Sequence, residues 1–599
     1  MKKHIQPIII IFFISIFIVS PIILNKTPVL GVDGYFHYGR IYEAALQIKH
    51  LNFSMLNLYS FQQSGRVVNA LYSPFLTYLL GVLLLISGSW LKFQIVLNIL
   101  VLFTAGLITY FISRKIGFSK NISIGLGTIY LSTNAIASFL IVSGWRSIGL
   151  AFLPLIILPM IDMLNSNFKL KNSLVLALAV SLQVQGHLLS AAFAIPVLIS
   201  AFVVGFIQTH KKWLMIKYLV IAIFTSIILC LNTILPYLQL STHNILVPPT
   251  SIDVTNSIFN PFDVLSTNGI SLLGNHISVS ENILAILSML GIAIIIMFWK
   301  RISILSRILI ISGLAYFVLG SNLMPWPIIQ LNLPEIRNFL QFSFRFTLVG
   351  EIFVLIGTLL AMKELVNSTD FNFNKLLEFI VITMSVISVI SLVTSVSNNV
   401  ISNYRQTTSI AQSAAINPKD LRLKPMNGHP VNTTTDLRAA WSNRDLSQLI
   451  NTVDRTTPDY LPITKFNNKE DYYGLYTEHV LEKHSLFNKD VRSHGILHIS
   501  WIQNKAHQIE VPAFIYKNTI AHLNGKKINA ITISKTPIGT ININGVKGKN
   551  SLTLQYKTSH IFNLMVIVSD LSWLILIGYF IFMNTLVRSD KEISKSIPQ

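Results

Sequence analysis

The chain has 599 residues, of which 52% are hydrophobic and only 12% are charged, and its mean hydropathy is +0.58. A soluble protein carries about twice that charged fraction, so the composition excludes an ordinary soluble domain and indicates a polytopic α-helical membrane protein. The formal net charge is +21, and the single cysteine, Cys230, excludes an intramolecular disulfide.

Apolar runs long enough to cross the hydrocarbon core as helices recur along the chain. The first run follows Lys2-Lys3 and lacks a small-residue cleavage site, which favours a retained span over a cleaved signal peptide. The segment 71–88 opens on Ser73-Pro74, and we interpret it as a juxtamembrane or re-entrant helix. The remaining runs predict about twelve spans, at 5–24, 91–113, 121–141, 147–164, 172–185, 187–207, 215–235, 281–299, 304–321, 344–362, 376–396 and 561–584.

Short basic loops assign the two sides of the membrane. With this set of spans the basic loops all fall on one face, which the positive-inside rule makes cytoplasmic, together with both termini. Because the chain is also rich in Ile, Asn and Lys, we expect a multi-pass protein of a bacterial plasma membrane. The opposite, outer face would then carry 25–90, the turns at 143–146 and 186–187, the loops 236–280 and 322–343, and a long segment at 397–560.

The first outer loop holds a dense group of ionisable residues, Asp33, His37, Arg40 and Glu43. If the loop is helical, Asp33, His37 and Arg40 recur at i, i+4 and i+7 on one face, and Glu43 is placed to pair with Arg40. Charged groups at a membrane boundary are costly to desolvate, so this cluster predicts a functional site. The alternative interpretation is a solvated juxtamembrane helix held by salt bridges.

Three further polar residues on the outer face are candidates for the same site: Arg146, His187 and Arg345. Each arginine starts a predicted span, where it either snorkels to the interface or binds a phosphate with its planar fork. His187 lies between two helices and has either a structural role or a place in the site. The spans hold almost no acidic residue near their middle, which argues against a proton- or sodium-coupled transporter. An ATP-driven pump is disfavoured because the chain has no nucleotide-binding signature.

The segment 397–560 changes character, because its C-terminal half alternates apolar and polar residues with a period of two. Asn524-Gly525 and Asn544-Gly545 are hairpin-turn signals. We predict a mixed α/β first part followed by an antiparallel β-sandwich of jelly-roll type. Its excess of Lys and Arg either suits an anionic polymer or lipid head groups, or keeps the domain soluble. The predicted organisation is a helical domain at 1–396 with a catalytic loop at 25–90, an extracytoplasmic domain at 397–560, a last span at 561–584 and a cytoplasmic tail at 585–599.

Four short motifs follow one another in a familiar order. The first is an acidic residue with Phe-His and Arg after the first span, and the second is an Arg followed by Leu-Pro-Leu. The third is Gly-His-Leu-Leu-Ser at a helix hairpin. The fourth is Leu-Gln-Phe-Ser-Phe-Arg-Phe before a late span. They begin at Asp33, Arg146, Gly186 and Leu340. In this order they resemble the bacterial multispan proteins labelled 6-pyruvoyl-tetrahydropterin synthase-related, a branch of the GT-C fold with YfhO-like proteins as relatives. The resemblance covers most of 1–397, and the β-rich insert before a last span is also similar to YfhO-like chains.

The GT-C resemblance implies a membrane glycosyltransferase that uses polyprenyl-phosphate sugars. Asp33 would correspond to the first-loop carboxylate, as the general base for the acceptor hydroxyl or as a ligand of a divalent cation, Mg²⁺ or Mn²⁺, the one candidate cofactor. Arg146 and Arg345 would receive the phosphate of the leaving lipid. The other candidate substrate-binding residues are His37, Arg40, Glu43 and His187. The chain departs from its relatives at Gly149-Leu150, where they often carry Gly-Glu.

The predicted function is therefore sugar transfer from a polyprenyl-phosphate donor to an envelope polymer, glycolipid or protein on the outer face. Its expected partners are the lipid-linked sugar, an anionic polymer or glycolipid acceptor and the lipid bilayer, with no nucleic acid. Two alternatives stay open. One is a transporter or flippase that binds the same phosphate head group without reaction, and the other is a noncatalytic cell-envelope assembly protein.

Overall fold

The computed structural model describes residues 2–256, 258–260, 279–366, 371–405, 421–424, 434–529 and 533–596. The predicted outer loop at 236–280, the start of the insert and the end of the tail lie in part outside these ranges. The helices up to the insert are α1 Lys2–Asn25, α2 Gly34–His50, α3 Pro74–Ser87, α4 Trp90–Lys115, α5 Lys120–Leu131, α6 Asn134–Val142, α7 Arg146–Leu150, α8 Ile157–Leu164, α9 Leu170–Gly186, α10 Leu188–Gln208, α11 Lys212–His243, α12 Val279–Phe298, α13 Ile304–Leu319, α14 Trp326–Asn332, α15 Ile336–Phe339, α16 Arg345–Leu365 and α17 Phe371–Arg405. The insert adds α18 Thr434–Ser442, α19 Ser447–Thr452 and α20 Tyr472–Tyr476, and the chain ends in α21 His560–Ser596.

Several of these helices are long and apolar enough to cross a membrane, which makes this a multi-pass membrane protein. In the described part of the chain nine helical segments meet that condition, and the pair α5 and α6, bent by 45°, makes ten. The count is below the predicted twelve because two predicted spans form shorter helices. These are α9 with 17 residues and α13 with 16, whereas a crossing needs about 20.

Several basic residues of the predicted cytoplasmic loops lie at one end of the helical bundle. At one end Lys363 Nζ donates to the carbonyl of Gly117 at 2.6 Å, and Lys120 Nζ donates to Gln6 at 2.5 Å. Because α1 runs from this end towards Asn25, the loop that follows it lies at the other end. The predicted site residues of that loop are therefore far from the basic loops.

Two antiparallel sheets form a β-sandwich in the insert, so the β-rich region predicted before the last helix is confirmed. The sandwich has a five-stranded sheet of order β5-β6-β12-β8-β9 and a three-stranded sheet of order β10-β11-β7. The strands are β1 Ile245–Leu246, β2 Leu421–Leu423, β3 Val453–Arg455, β4 Pro462–Ile463, β5 Asn488–Arg492, β6 Ile496–Gln503, β7 His507–Phe514, β8 Thr519–Leu523, β9 Lys526–Ile528, β10 Ser534–Lys535, β11 Thr540–Gly545 and β12 Gly548–Tyr556. The short strands β1 and β2 pair with β4 and β3.

The two predicted hairpin turns have different outcomes. Asn524 and Gly525 adopt positive φ angles of 49° and 81° between β8 and β9, which pair with each other, so this hairpin is confirmed. Asn544 and Gly545 instead belong to β11, which pairs with β7. The next strand, β12, lies in the other sheet. The hairpin prediction there is wrong, because the chain crosses between the two layers of the sandwich.

The first outer loop packs directly against the sandwich. Its apolar residues Leu56, Leu58 and Val67 are buried in the same cluster as the sandwich core. Arg66 has 0% exposure. Its guanidinium donates to the backbone carbonyls of Thr457 at 2.5 Å and Asp459 at 2.7 Å. The loop therefore lies between the helical bundle and the insert and is held by both.

Candidate functional site

Asp33 stands at the N-terminus of α2, so the condition set for the first outer loop, that it be helical, is met. The backbone N–H of His37 donates to the Asp33 carbonyl at 3.1 Å. The Asp33 side chain does not cap the helix and is exposed. It forms no ion pair with any residue in the described ranges. Its carboxylate is therefore free to meet a ligand.

His37 lies one turn and Arg40 two turns along α2 from Asp33, and the two side chains contact each other. Arg40 Nη1 donates to His37 Nδ1 at 2.9 Å, Arg40 Nη2 donates to Thr77 Oγ1 at 2.7 Å, and the guanidinium carbon lies 4.1 Å from the centre of the Tyr72 ring. Burial lowers the pKa of Arg40 to about 10. Burial, then the Arg40 charge, holds the pKa of His37 well below its usual range. His37 is therefore neutral at pH 7, with its second ring nitrogen as the proton donor.

Glu43 has a different role from the one that the sequence predicted. It has 0% exposure, and its two oxygens accept the backbone N–H groups of 58–60 at 2.7, 2.8 and 3.0 Å. Gln47 Nε2 also donates to it at 2.9 Å. The predicted ion pair with Arg40 is wrong, because the loop amides occupy the carboxylate. Glu43 anchors the first outer loop and lies outside the cleft.

The first outer loop is tied to the turn before α7. The backbone N–H of Gly31 donates to Ser143 Oγ at 3.2 Å, and the His37 ring stacks on the Trp145 ring with centres 4.5 Å apart. These contacts bring the start of α2 beside Arg146, the first residue of α7. Residues more than one hundred positions apart in the sequence are therefore close to one another here.

His187 is brought to Arg146 by a close contact between two glycines. A Cβ atom on Gly186 would lie 2.5 Å from the Cα of Gly149, so the two backbones approach as closely as glycine alone permits. His187 Nδ1 accepts the backbone N–H of Ser190 at 3.2 Å and caps α10. This leaves Nε2 as the protonated nitrogen. His187 thus has the structural role considered for it and also lies within electrostatic range of Arg146.

Arg345 completes the set and lies next to Arg146. The Arg146 guanidinium carbon is 5.0 Å from the centre of the Phe344 ring, and Arg345 Nη2 donates to Gln341 at 2.9 Å. Neither guanidinium forms an ion pair with a residue that the structure describes. The Asp33 carboxylate lies within electrostatic range of both. The cleft therefore combines one free carboxylate with two arginines that lack a carboxylate partner.

Three residues of the insert lie within electrostatic range of the groups of this cleft, and the sequence analysis did not find them. They are Arg455, Asp459 and Tyr460. Arg455 is within electrostatic range of His37, and Asp33 is within range of Asp459. Burial raises the pKa of Asp459 to about 6, against the opposing charges of Arg66 and Arg455. No local pattern marks these residues, because only the docking of the insert on the first loop brings them here.

An acidic residue inside a predicted span was also overlooked. Glu351, in α16, is buried, and one of its oxygens accepts the backbone N–H of Ala135 at 2.8 Å. This bond holds the start of α6, just after the bend between α5 and α6. Glu351 lies within electrostatic range of Arg146, so this buried carboxyl group is close to the cleft.

The surroundings of Asp33 do not fit a divalent cation. Mg²⁺ and Mn²⁺ need several oxygen ligands, whereas the nearest charged groups include two guanidiniums, which repel a cation. Within the described ranges, no group of three or more His, Cys, Asp or Glu residues is arranged to hold a metal ion. The chemistry of the cleft is therefore derived from its side chains.

The comparison with protein-family models finds no match, and the comparison with curated proteins finds none either. Among solved structures, the chain is similar to the cryo-EM structure of the arabinofuranosyltransferase AftD from mycobacteria, with 13% identity and a TM-score of 0.41 over 64% of this chain and 26% of that one. A mutant of the same enzyme gives 14% identity and a TM-score of 0.38 over 63% and 27%. The chain thus spans about a quarter of the length of these structures. This level of similarity assigns neither family nor activity, and the YfhO-like resemblance stays a prediction.

Proposed function

We propose that the protein is a membrane glycosyltransferase that transfers a sugar from a polyprenyl-phosphate donor to a hydroxyl group of an envelope polymer, glycolipid or protein. The observation that supports this function is the exposed Asp33 carboxylate, which forms no described ion pair and lies within electrostatic range of Arg146 and Arg345. Sugar transfer from a lipid phosphate needs a base for the attacking hydroxyl and cations for the departing phosphate. The cleft offers both, within electrostatic range of each other.

The reaction is a single displacement at the anomeric carbon of the sugar. Asp33 takes the proton of the acceptor hydroxyl as the hydroxyl oxygen forms its bond to that carbon. The bond between the same carbon and the phosphate oxygen breaks, and its electron pair leaves with the polyprenyl phosphate. Arg146 and Arg345 stabilise the charge that develops on the phosphate. The configuration at the anomeric carbon is inverted.

The neighbouring groups orient the sugar. His37 is fixed by its bond to Arg40 and by its stack on Trp145, so its free N–H has one direction. His187 is fixed in the same way by Ser190. Hydrogen-bond donors held in one geometry reduce the entropy lost when the donor sugar is positioned. We assign His37 and His187 to the sugar hydroxyls.

The position of the arginines suits a substrate that is anchored in lipid. Arg146 and Arg345 are the first residues of two membrane-crossing segments, Arg146–Leu164 and Arg345–Leu365. A phosphate bound between them would lie at the level of the lipid head groups, and its polyprenyl chain would continue into the bilayer. The proposal places this end of the bundle outside a bacterial plasma membrane, with both termini in the cytoplasm.

The test uses the purified full-length protein in lipid nanodiscs with a radiolabelled polyprenyl-phosphate sugar. We expect transfer or slow hydrolysis by the native protein, and a loss of about 10²–10⁴-fold in Asp33→Asn with donor binding retained. Arg146→Gln should weaken both binding and transfer. Glu478→Gln removes an exposed carboxylate of the insert and is the matched control. Donor binding without any transfer or hydrolysis, or normal rates in Asp33→Asn, would refute the enzyme and favour a transporter.

A further inference from the structure

A cavity lies beside the reaction cleft, between α2, the loop at 59–63 and the insert. Its volume is about 410 Å³, within the range of about 300–1,000 Å³ that is usual for small-ligand sites. Tyr35, Phe36 and Gly39 of α2 line it, while His37 and Arg40 of the same helix belong to the cleft. The two spaces therefore share α2.

Two basic residues that line this cavity form no ion pair, although Arg455 is within electrostatic range of Asp459, which does not line it. Arg455 has its Nε and Nη1 atoms buried without a hydrogen-bond partner. Lys489 Nζ donates to the backbone carbonyl of Gln62 at 2.6 Å and has two further protons to donate. Neither side chain forms an ion pair with a described residue. A buried guanidinium without partners is costly, so a ligand that supplies oxygen acceptors would be favoured here.

The remaining charges of the cavity already satisfy one another. Asp454 is the acidic residue among the described residues that line it. Lys424 Nζ lies 2.6 Å from the Asp454 carboxylate, and His484 Nε2 lies 3.5 Å from it. That carboxylate is therefore occupied by two other partners, and the excess charge at Arg455 and Lys489 is positive.

The rest of the wall combines aromatic side chains with uncharged polar ones. The aromatic residues that line the cavity are Tyr35, Phe36, Tyr59, Phe61 and Phe487. The polar ones are Ser60, Gln62, Gln63, Asn451, Thr457, Ser485 and Asn488. Aromatic rings beside several polar groups are typical of sites for small ligands that have an apolar face and groups able to form hydrogen bonds. A sugar ring presents such a face through its C–H groups, and a phosphate presents the oxygens that an arginine fork matches.

We propose that this cavity binds a phosphate-bearing sugar, with the phosphate on Arg455 and Lys489 and the sugar ring against the aromatic side chains. Arg455 is also within electrostatic range of His37, so a ligand in the cavity lies next to the reaction cleft. Where the proposed function holds, the ligand is part of the acceptor, and the cavity selects acceptors that carry a phosphate near the attacked hydroxyl. The binding site itself rests on the cavity alone.

The test measures binding by calorimetry with the full-length protein in nanodiscs, using glucose 1-phosphate, inorganic phosphate and glucose as probes. We expect glucose 1-phosphate to bind more tightly than the other two. Arg455→Gln and Lys489→Gln should each weaken it about tenfold or more, because each removes charge-assisted hydrogen bonds. The matched control is Lys526→Gln, an exposed lysine on β9, at the opposite edge of the sheet from β5.

The outcomes separate this site from the reaction cleft. Equal affinity for inorganic phosphate would show that the sugar ring is not recognised. Loss of binding in Arg146→Gln instead of Arg455→Gln would place the phosphate in the cleft. An absence of binding would overturn the site. If Arg455→Gln does not fold, Lys489→Gln alone decides, because that lysine makes a single bond to a carbonyl. Binding of the probe without any sugar transfer would support this binding site and refute the proposed function.

Discussion

The contact between Gly149 and Gly186 gives a sharp prediction about the cleft. In Gly186→Ala the new Cβ would lie 2.5 Å from the Cα and 2.6 Å from the N of Gly149. Ordinary contact begins at 3.4 Å, so the two backbones must separate by about 0.9 Å. Arg146 begins the turn that contains Gly149, and His187 directly follows Gly186. The substitution therefore moves two groups of the cleft apart without removing either side chain.

A displacement of about 1 Å at a catalytic group reduces rate about 10²-fold, and overpacking of this kind costs about 1–3 kcal/mol of stability. We expect Gly186→Ala to fold and insert, with sugar transfer reduced by about 10²-fold. The assay compares initial transfer rates with thermal unfolding of the same samples. A rate close to that of the native protein would refute the role given to this contact.

Two further variants calibrate the result. In Gly149→Ala the new Cβ would meet the backbone N of His187 at 3.0 Å, which needs a separation of about 0.4 Å. Its loss of activity should therefore be smaller than that of Gly186→Ala. Gly578→Ala places a methyl group where no atom lies within 4 Å and should leave activity unchanged. The opposite order of the two cleft variants would show that distance does not control the effect.

Three more predictions concern the groups around the cleft. Glu43→Gln replaces one of the two carboxylate oxygens that accept the backbone amides of 58–60 by an NH2 donor and removes the charge. It should lower the free energy of unfolding by about 3–5 kcal/mol, measured by chemical denaturation. A change below about 1 kcal/mol, on the order of one ordinary hydrogen bond, would contradict the anchoring role of Glu43. Asp459 has a pKa raised by burial to about 6 from the usual 3.8, so its stabilising contribution is present below the lower value and is lost as pH rises through the higher one. Asp459→Asn should remove most of the pH dependence of the melting temperature between those two pH values. The same pH dependence in the variant would contradict this assignment. Burial, then the Lys424 charge, lowers the pKa of Lys489 to about 7, so binding of glucose 1-phosphate should weaken as pH rises through 7. Lys489→Arg should remove most of that pH dependence, and the same dependence in the variant would assign it to another group.

Local patterns were enough to predict the helix that carries the first group of site residues. The spacing of Asp33, His37 and Arg40 is a property of one helix, and the structure has that helix. The order of the motifs also brought Arg146, His187 and Arg345 to the same end of the bundle. Short-range periodicity and the charge of loops can both be read from contiguous sequence, whereas the role of these residues as a site stays a prediction.

The residues that were not found and the predictions that were wrong have a different physical cause. Arg455 and Asp459 reach the cleft through the docking of the insert, for which no periodic signal exists. Glu43 lies at a spacing that suits Arg40, but three backbone amides at 58–60 compete for it and their positions depend on the tertiary fold. Likewise Asn544-Gly545 has the composition of a hairpin turn, and only the packing of two sheets decides that the chain crosses between them there.

The bonds of Arg66 have a consequence for how the protein is made. The arginine and the carbonyl of Thr457 that it contacts are separated by 391 residues. During synthesis every helix through α17 leaves the ribosome before that carbonyl exists, so the first loop waits at the membrane with an uncompensated charge. The contacts between the first loop and the insert therefore form late, after residues 457–459 have been made. A fragment that ends before 453 would lack these contacts, so the proposed site would be complete only once the insert has been synthesised.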